Sequence, residues 1–211
     1  MLQLYDYARS SAAFRVRLAL LYKELEYKKI PVNLLDNIQQ STEYLKLNPT
    51  GLVPTLIDDS GNSIRQSLAI IEYLDEIYPL KPLLPEGSPD RAYVRGISLN
   101  IAADMHPLNN LRVLNFLKNQ LGHNQNEVDL WYKHWVKIGL DSLEQIIATS
   151  KFYANEFCYK EMFTVADICL LPQLFNARRF NCDLSDYPIL LAIEAKCKKF
   201  DYVVSAYPDT H

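Results

Sequence analysis

Two adjacent serines stand where a short apolar strand passes into a helix, in the stretch S-S-A-A-F-R-V-R-L-A-L at residues 10–20. The unpaired amides and the dipole of a helix N-terminus stabilise a thiolate, and a hydroxyl there can donate a hydrogen bond to it. The four junction residues are Ser10, Ser11, Ala12 and Ala13, so a thiolate at this position would have to come from a ligand. Serine is also a preferred N-cap residue in any helix, and the motif alone favours the two interpretations equally.

Free-energy magnitudes indicate that such a junction could activate a thiol. A thiol with a pKa of about 8.5 is only a few per cent thiolate at pH 7, and lowering that pKa to about 6.5 requires about 2.7 kcal/mol. A hydrogen bond from a hydroxyl to an ion contributes roughly 1.5 to 3 kcal/mol, and the helix dipole about 0.3 to 1. Ser10 or Ser11, assisted by neighbouring backbone amides, is therefore the candidate thiolate stabiliser.

Short apolar segments predict strands on both sides of this junction. They lie at residues 2–5, 27–32 and 52–57, the last of them interrupted by a proline. The turn D-D-S-G-N at 58–62 then leads to a return strand around Ile64.

Helical spacing of apolar residues predicts three helices between and after these strands. The first follows the two serines and places Arg15 and Arg17 on faces other than the apolar one. The second ends before Asn48-Pro49, because the residue preceding a proline disfavours helix, and the third runs from Ser67 to Pro79. The first 79 residues therefore predict the order β-α-β-α-β-β-α.

Four prolines within eleven residues, at positions 79, 82, 85 and 89, indicate a stiff connector. Everything beyond it follows a helical pattern, over residues 90–120, 126–149, 164–180 and 188–200. The sequence T-V-A-D at 164–167 predicts a capping box at the start of the third of these helices. We predict an α/β domain at 1–79, a proline-rich linker at 80–89 and an all-helical domain at 90–211.

Composition limits the classes of function. A net charge of -3 with both signs mixed does not favour nucleic acid or an anionic membrane as a partner. No apolar run approaches the roughly 20 residues of a membrane span, and the start M-L-Q-L-Y lacks a leader pattern, so we expect a soluble cytoplasmic protein. The four cysteines, none in C-x-x-C spacing, predict reduced core thiols rather than disulfides or a metal site.

Four motifs together resemble the zeta class of cytosolic glutathione transferases, which includes maleylacetoacetate isomerase. That class carries S-S-C-x-x-R-V-R-I-A-L where this chain has S-S-A-A-F-R-V-R-L-A-L. The other motifs are L-N-P-x-x-x-V-P-T-L at 47–56, Q-S-L-A-I-I-E-Y-L at 66–74 and I-A-A-D-M-H-P-L-N-N-L-R-V-L at 101–114. Their order and spacing make the resemblance specific over about residues 5–180. The chain departs from the class at Ala12, where the signature has a cysteine.

The resemblance implies a thioredoxin-like α/β domain followed by an all-α domain, with glutathione as the cofactor and a homodimer as the assembly. It implies cis-trans isomerisation of a small dicarboxylate, maleylacetoacetate or a relative such as maleylpyruvate, by thiolate addition, bond rotation and elimination. One alternative is a general transferase that conjugates electrophiles to glutathione. Another, kept open by Ala12, is a noncatalytic glutathione-transferase-like interaction protein.

The resemblance also implies which residues of the first domain contact glutathione. It favours Ser10 over Ser11 at the sulfur and a cis peptide bond at Val53-Pro54 beside the cysteinyl part. Gln66 and Ser67, at a helix start, would hold the γ-glutamyl carboxylate. The structural alternatives are a trans proline on an edge strand and ordinary helix capping.

Four further residues are assigned to glutathione by similarity. Gln39 and Gln40 would lie near its glycyl end, and His106 and Asn110 would contact it from the helical domain. His106 could instead cap or break the local helix beside Pro107.

Three arginines are candidates for the substrate carboxylates, because guanidinium groups bind carboxylates through paired hydrogen bonds. The resemblance favours Arg112 and Arg179, followed by Arg9, which adjoins the serine pair. Each in isolation is more typical of a solvated or salt-bridged surface residue. Arg178 should point away from the site because adjacent helical residues face different directions.

Overall fold

A four-stranded mixed sheet forms the centre of the first half of the chain in the computed structural model, which describes residues 1–208. Its strands are β1 (Leu2–Asp6), β2 (Tyr27–Pro31), β3 (Thr55–Ile57) and β4 (Ser63–Arg65), in the spatial order β2-β1-β3-β4. β1 and β2 are parallel, whereas β3 is antiparallel to both of its neighbours. The connecting helices are α1 (Ser11–Tyr22), α2 (Thr42–Leu47) and α3 (Ser67–Ile77), which confirms the predicted β-α-β-α-β-β-α order.

The helix α1 is the crossover that a parallel pair of strands requires, and it is buried on almost every side. It packs against α3 and against a short C-terminal helix, α10 (Asp201–Ala206). Arg15 and Arg17, which were predicted to lie on faces other than the apolar one, are not exposed to solvent there. Both side chains are buried, with residue exposures of 1% and 4%, because each finds polar partners inside the fold.

The third predicted strand is shorter than expected. β3 begins at Thr55 rather than at Leu52, because the Leu52 carbonyl is held outside the sheet by two side chains that follow or belong to α2. The Tyr44 hydroxyl donates to it at 2.6 Å and the Asn48 amide at 2.8 Å. The segment before β3 is therefore a fixed loop that carries the Val53-Pro54 pair.

The remaining helices lie between residues 88 and 197. They are α4 (Ser88–Leu99), α5 (His106–Leu108), α6 (Leu111–Asn119), α7 (Gln125–Ala148), α8 (Val165–Arg179) and α9 (Pro188–Cys197). A π-helical segment, Asn100–Met105, joins α4 to α5. The Met105 side chain packs so closely on Gly139 of α7 that a Cβ at position 139 would clash with it. Within residues 1–208, every helix is too short or too polar to span a lipid bilayer.

The helical pattern predicted over residues 90–120 is divided into several helices in the structure. The helix is interrupted after α5, where Asn110 adopts an extended backbone (φ -67°, ψ 145°) and its side chain accepts from the amide of Arg112. Asn110 thereby caps a new helix, α6, because its side chain competes with the backbone for the helix amide.

The chain divides into two compact units whose bounds differ from the predicted domains. The first comprises residues 1–83 together with the described residues from 198 onward, and the second is Leu84–Cys197. The helix α10, absent from the predicted elements, belongs to the first unit because Arg17 donates to the Ala206 carbonyl at 3.1 Å and Phe14 contacts the Tyr207 ring.

At the other boundary of the first unit, the buried Lys23 ammonium donates to the carbonyls of Tyr78, Leu80 and Lys81. Residues 209–211, which end the predicted helical domain, lie outside the described residues.

Candidate functional site

The N-terminus of α1 distinguishes the two adjacent serines. Ser10 is the N-cap, with extended backbone (φ -78°, ψ 118°), and its Oγ accepts from the amide of Ala13 at 3.2 Å. A hydroxyl has one proton and two acceptor positions, so the Ser10 proton is available to a further acceptor. Ser10 is partly exposed, whereas Ser11, the first residue of α1, is only 5% exposed. The structure thus presents Ser10 at the surface and buries Ser11.

The charges around this junction favour an anion. The first turn of α1, Ser11–Phe14, contains no acidic residue. Arg15 and Arg17 follow within the same helix, and Arg17 donates to the carbonyl of Ala8 at 3.0 Å, just ahead of Ser10. Arg17 also pairs with the buried carboxylate of Asp6 at 2.6 Å. The positive end of the helix dipole therefore meets no opposing carboxylate in its first turn.

The Val53-Pro54 peptide bond is cis, as the resemblance to the zeta class implies, and not the trans bond of the alternative. Val53 belongs to a small core with Val32 and Tyr44, against which Tyr5 and Tyr7 pack. Burial raises the pKa of Tyr44, whose hydroxyl also contacts Thr55 Oγ1 at 3.0 Å. The Tyr44 hydroxyl is therefore neutral, and as a hydrogen-bond donor it fixes the loop before β3.

The start of α3 carries Gln66 and Ser67. Gln66 is exposed, has a left-handed backbone (φ 70°) and, among the described residues, makes no side-chain cap to the helix amides. Ser67 is buried, and its Oγ accepts from Arg15 Nη1 at 3.2 Å. This bond joins the beginning of α3 to α1. Sequence reasoning missed Arg15, although it and Arg17 are the only charges in an otherwise apolar helix.

The two predicted glutamines lie in a short 3₁₀ turn, Ile38–Gln40. The Gln40 amide donates to the Gly51 carbonyl at 3.3 Å, which links this turn to the loop that carries Val53-Pro54. Gly51 has φ 61°, and a Cβ there would lie 2.5 Å from Gln40 Nε2. Gln39 Oε1 is buried without a hydrogen-bond partner among the described residues.

The second unit places three of the predicted residues around the break between α5 and α6. His106 begins α5 and is partly exposed, and its carbonyl accepts from the Asn109 amide at 3.2 Å. Asn110 caps α6 with its Oδ1, so its amide oxygen already has a structural role. Arg112 follows in the first turn and is exposed.

The adjacent arginines at the end of α8 have different roles. Arg178 makes a paired interaction with the buried Glu194, with Nη1 at 2.7 Å from Oε1 and Nη2 bonded to Oε2. Arg179 is exposed and donates to Asn176 Oδ1 at 2.8 Å. Arg178 is thus paired within the second unit, and Arg179 is accessible to solvent. Arg9 is exposed beside Ser10 in the first unit.

Within residues 1–208, no group of three or more His, Cys, Asp or Glu side chains could hold a metal ion.

Comparison with known proteins identifies the family. Residues 1–76 match the family model described as Glutathione S-transferase, N-terminal domain. A maleylacetoacetate isomerase of Rhizobium meliloti is 41% identical over 206 residues, covering 98% of this chain and 95% of that protein. The holo structure of a bacterial maleylpyruvate isomerase of the zeta class is 33% identical, has a TM-score of 0.95, and covers 99% of this chain and 98% of that one. The chain belongs to the zeta class of the glutathione transferases.

This zeta-class transferase also resembles a maleylacetoacetate isomerase of Anaeromyxobacter dehalogenans, solved with dicarboxyethyl glutathione and citrate in its active site. The two are 33% identical with a TM-score of 0.86, and the match covers 100% of this chain and 96% of that one. Membership of the family confirms the fold class, a thioredoxin-like α/β domain followed by an all-α domain.

Proposed function

We propose that the protein is a glutathione-dependent cis-trans isomerase that acts on maleylacetoacetate or a close relative such as maleylpyruvate. The observation that carries this proposal is the hydroxyl of Ser10, which caps α1 and retains a proton to donate at the positive end of that helix. The residues fit glutathione at a further point. The start of α3 offers the Ser67 hydroxyl and helix amides to a carboxylate.

When bound, glutathione supplies a thiolate that adds to the cis double bond, permits rotation about the resulting single bond, and leaves to give the trans alkene. Ser10 donates a hydrogen bond that favours the ionised sulfur over the thiol, assisted by the dipole of α1. No residue of the chain needs to form a covalent bond or change oxidation state. This agrees with alanine at position 12, because the nucleophile is not a side chain.

The two substrate carboxylates require cationic donors. Arg112 and Arg179 are exposed in the second unit, and Arg9 is exposed beside Ser10. Arg178, in contrast, is paired with the Glu194 carboxylate. We assign Arg112 and Arg179 to the carboxylates and to charge that develops on the substrate, with Arg9 as a third donor. His106, Asn110, Gln39 and Gln40 complete the proposed contacts with glutathione.

A homodimer in the cytoplasm is part of the proposal. All four cysteines are free thiols, and Cys158, Cys169 and Cys197 are buried, which suits a reducing compartment where glutathione is abundant. Sedimentation velocity should give about twice the 24.4 kDa of one chain. A single species of one chain's mass would remove the dimer from the proposal.

The decisive assay follows maleylacetoacetate loss with glutathione at a catalytic amount. An isomerase completes the reaction and leaves the glutathione unconsumed, whereas a conjugating transferase consumes it in proportion to the product. A chain that binds glutathione and does neither would be a noncatalytic interaction protein. Maleylpyruvate, assayed in parallel, distinguishes the two substrates by kcat/KM.

A further inference from the structure

Arg15 is a charged side chain in the interior of the first unit, where α1 packs against α3. Its exposure is 1%, and its Nη1 donates to Ser67 Oγ at 3.2 Å. Ser67 is the first residue of α3 and is 5% exposed. The hydrogen bond joins residues 52 positions apart in the sequence and connects α1, the helix that begins after Ser10, to the start of α3.

The direction of this hydrogen bond is fixed by its chemistry. A guanidinium only donates, so Ser67 Oγ is the acceptor and the single Ser67 hydroxyl proton points to another acceptor. The first amides of α3 have no acceptor within their own helix. Gln66 makes no side-chain cap to them within the described residues. Several donors thus converge where α3 begins.

We propose that Arg15 is a positioning residue of the glutathione site, which turns the Ser67 hydroxyl towards the γ-glutamyl carboxylate and sets a buried positive charge behind it. The inference rests on the proposed function. The positive charge of Arg15 adds to the positive end of the α3 dipole at this point. Burial strengthens the attraction of both for an anion. Arg15 acts through Ser67 and requires no contact with glutathione.

Arg17 provides a matched comparison within the same helix. It is 4% exposed, but its partners are the Asp6 carboxylate at 2.6 Å and the carbonyls of Ala8 and Ala206. Lysine at either position keeps the charge and removes the fork of donors. The pair Arg15→Lys and Arg17→Lys therefore separates the link to Ser67 from the general cost of altering a buried arginine.

The test is a double-mutant cycle on glutathione affinity, measured by calorimetry on the full chain. Arg15→Lys and Ser67→Ala should each weaken glutathione binding about tenfold, and the double variant should be no weaker than Ser67→Ala alone. Arg17→Lys combined with Ser67→Ala should show additive losses. At saturating glutathione, kcat of Arg15→Lys should stay close to the unaltered value, because Ser10 still faces the sulfur.

A ligand variant provides the second arm. Glutathione whose γ-glutamyl carboxylate is converted to an amide should bind the unaltered protein and Arg15→Lys equally. If Arg15→Lys does not fold, the unaltered protein labelled with ¹⁵N-arginine still tests the proposal. Glutathione, but not the amide, should shift the guanidinium signal that Ser67→Ala also shifts.

Three results would overturn the role of Arg15: additive losses in the Arg15 and Ser67 pair, equal weakening of the amide, or an unshifted guanidinium signal. Failure of the unaltered protein to bind glutathione at all would instead overturn the proposed function.

Discussion

Ser10 and Ser11 are adjacent in sequence but differ in what their hydroxyls can do. Ser10 is partly exposed and accepts the Ala13 amide, which leaves its proton for a ligand. Ser11 lies inside the first turn of α1 and is 5% exposed. Ser10 is therefore the more exposed of the two, and its free hydroxyl proton makes it the stronger candidate to face a bound sulfur.

We expect Ser10→Ala to lower kcat/KM by roughly 10- to 150-fold, the equivalent of one hydrogen bond to an ion, and Ser11→Ala to have a small effect. Ser10→Ala also removes an N-cap, at a cost of about 1 kcal/mol of stability. The assay should therefore be run well below the melting temperature, with unfolding measured alongside. Equal, small losses in both variants would show that neither hydroxyl activates the thiol.

Position 12 carries alanine where the zeta-class signature has cysteine. Because the proposed nucleophile is the sulfur of glutathione, Ala12→Cys should alter affinity or rate only modestly. Isomerase kinetics on the purified variant test this. A gain of several hundredfold in turnover would show that the missing thiol is essential to the chemistry.

Local patterns marked Ser10 and Ser11 together as candidates, because capping involves residues within one helical turn, and the resemblance to the zeta class favoured Ser10. They could not identify Arg15 or Arg17 as buried. Their partners Ser67 and Ala206 lie 52 and 189 positions away, so no short-range spacing encodes those contacts. The different directions of Arg178 and Arg179 could be predicted, because adjacent residues on a helix face different sides.

At the scale of elements, two capping boxes begin the long helices of the second unit. In α7, Asn124 and Glu127 bond reciprocally at the surface. In α8, Thr164 and Asp167 do so in the interior, where the Asp167 carboxylate also accepts the Cys158 amide at 2.8 Å. Burial raises the pKa of Asp167, while these hydrogen bonds oppose the rise.

Asp167→Ala should lower the free energy of unfolding by at least about 2 kcal/mol, because it leaves buried donors of Cys158 and Thr164 without an acceptor. Glu127→Ala, the matched change in the exposed box, should cost far less. Urea unfolding followed by circular dichroism compares the two. Equal losses of unfolding free energy in the two variants would indicate that burial does not determine how much the α8 capping box stabilises the protein.

The turn between β3 and β4 depends on one carboxylate. Asp58 accepts the Asn62 side chain, the amides of Ser60 and Asn62, and the Tyr73 hydroxyl, all at 2.8 to 2.9 Å. These bonds, led by the Asn62 side chain, lower the pKa of Asp58 to about 2, and the bond to Asp58 raises the pKa of Tyr73 to about 12. The turn is therefore held by an ionised carboxyl group.

A lowered carboxyl pKa stabilises the native state while the group is ionised. That contribution is complete above the ordinary value of 3.8 and is lost as pH falls through about 2. The free energy of unfolding should decline over this interval, and Asp58→Asn should flatten the decline. Asp59→Asn, which alters the exposed neighbouring carboxylate, should leave this decline as steep as in the unaltered protein. Urea titrations at several pH values measure all three slopes.

The order of strands and helices was predictable because each has its own apolar period and turn residues. The break after α5 was not, since Asn110 caps α6 in place of continuing a periodic pattern. The helix α10 was missed for a different reason. It has six residues and acquires its structure from packing on α1 rather than from its own sequence.

At the scale of the whole molecule, two separate stretches of the described chain build the first unit. The chain leaves that unit after Leu83 and returns to it at Lys198. The proline-rich segment marks the departure, but nothing in the composition marks the return, and the predicted boundary therefore kept residues 198–211 with the helical domain. The return matters for the site, because Arg17 bonds both the Ala206 carbonyl and the Ala8 carbonyl ahead of Ser10.

Two adjacent valines in α10 test whether this return stabilises the first unit. Val203 is fully buried, whereas Val204 is 56% exposed. Val203→Ala should lower the free energy of unfolding by about 1.5 to 3 kcal/mol, and Val204→Ala should change it little, because helix propensity is the same in both exchanges and only burial differs. Because α10 also anchors Arg17, Val203→Ala should weaken glutathione binding as well, measured by calorimetry. Equal effects of the two substitutions on unfolding would mean that α10 is attached to the first unit without contributing to its stability.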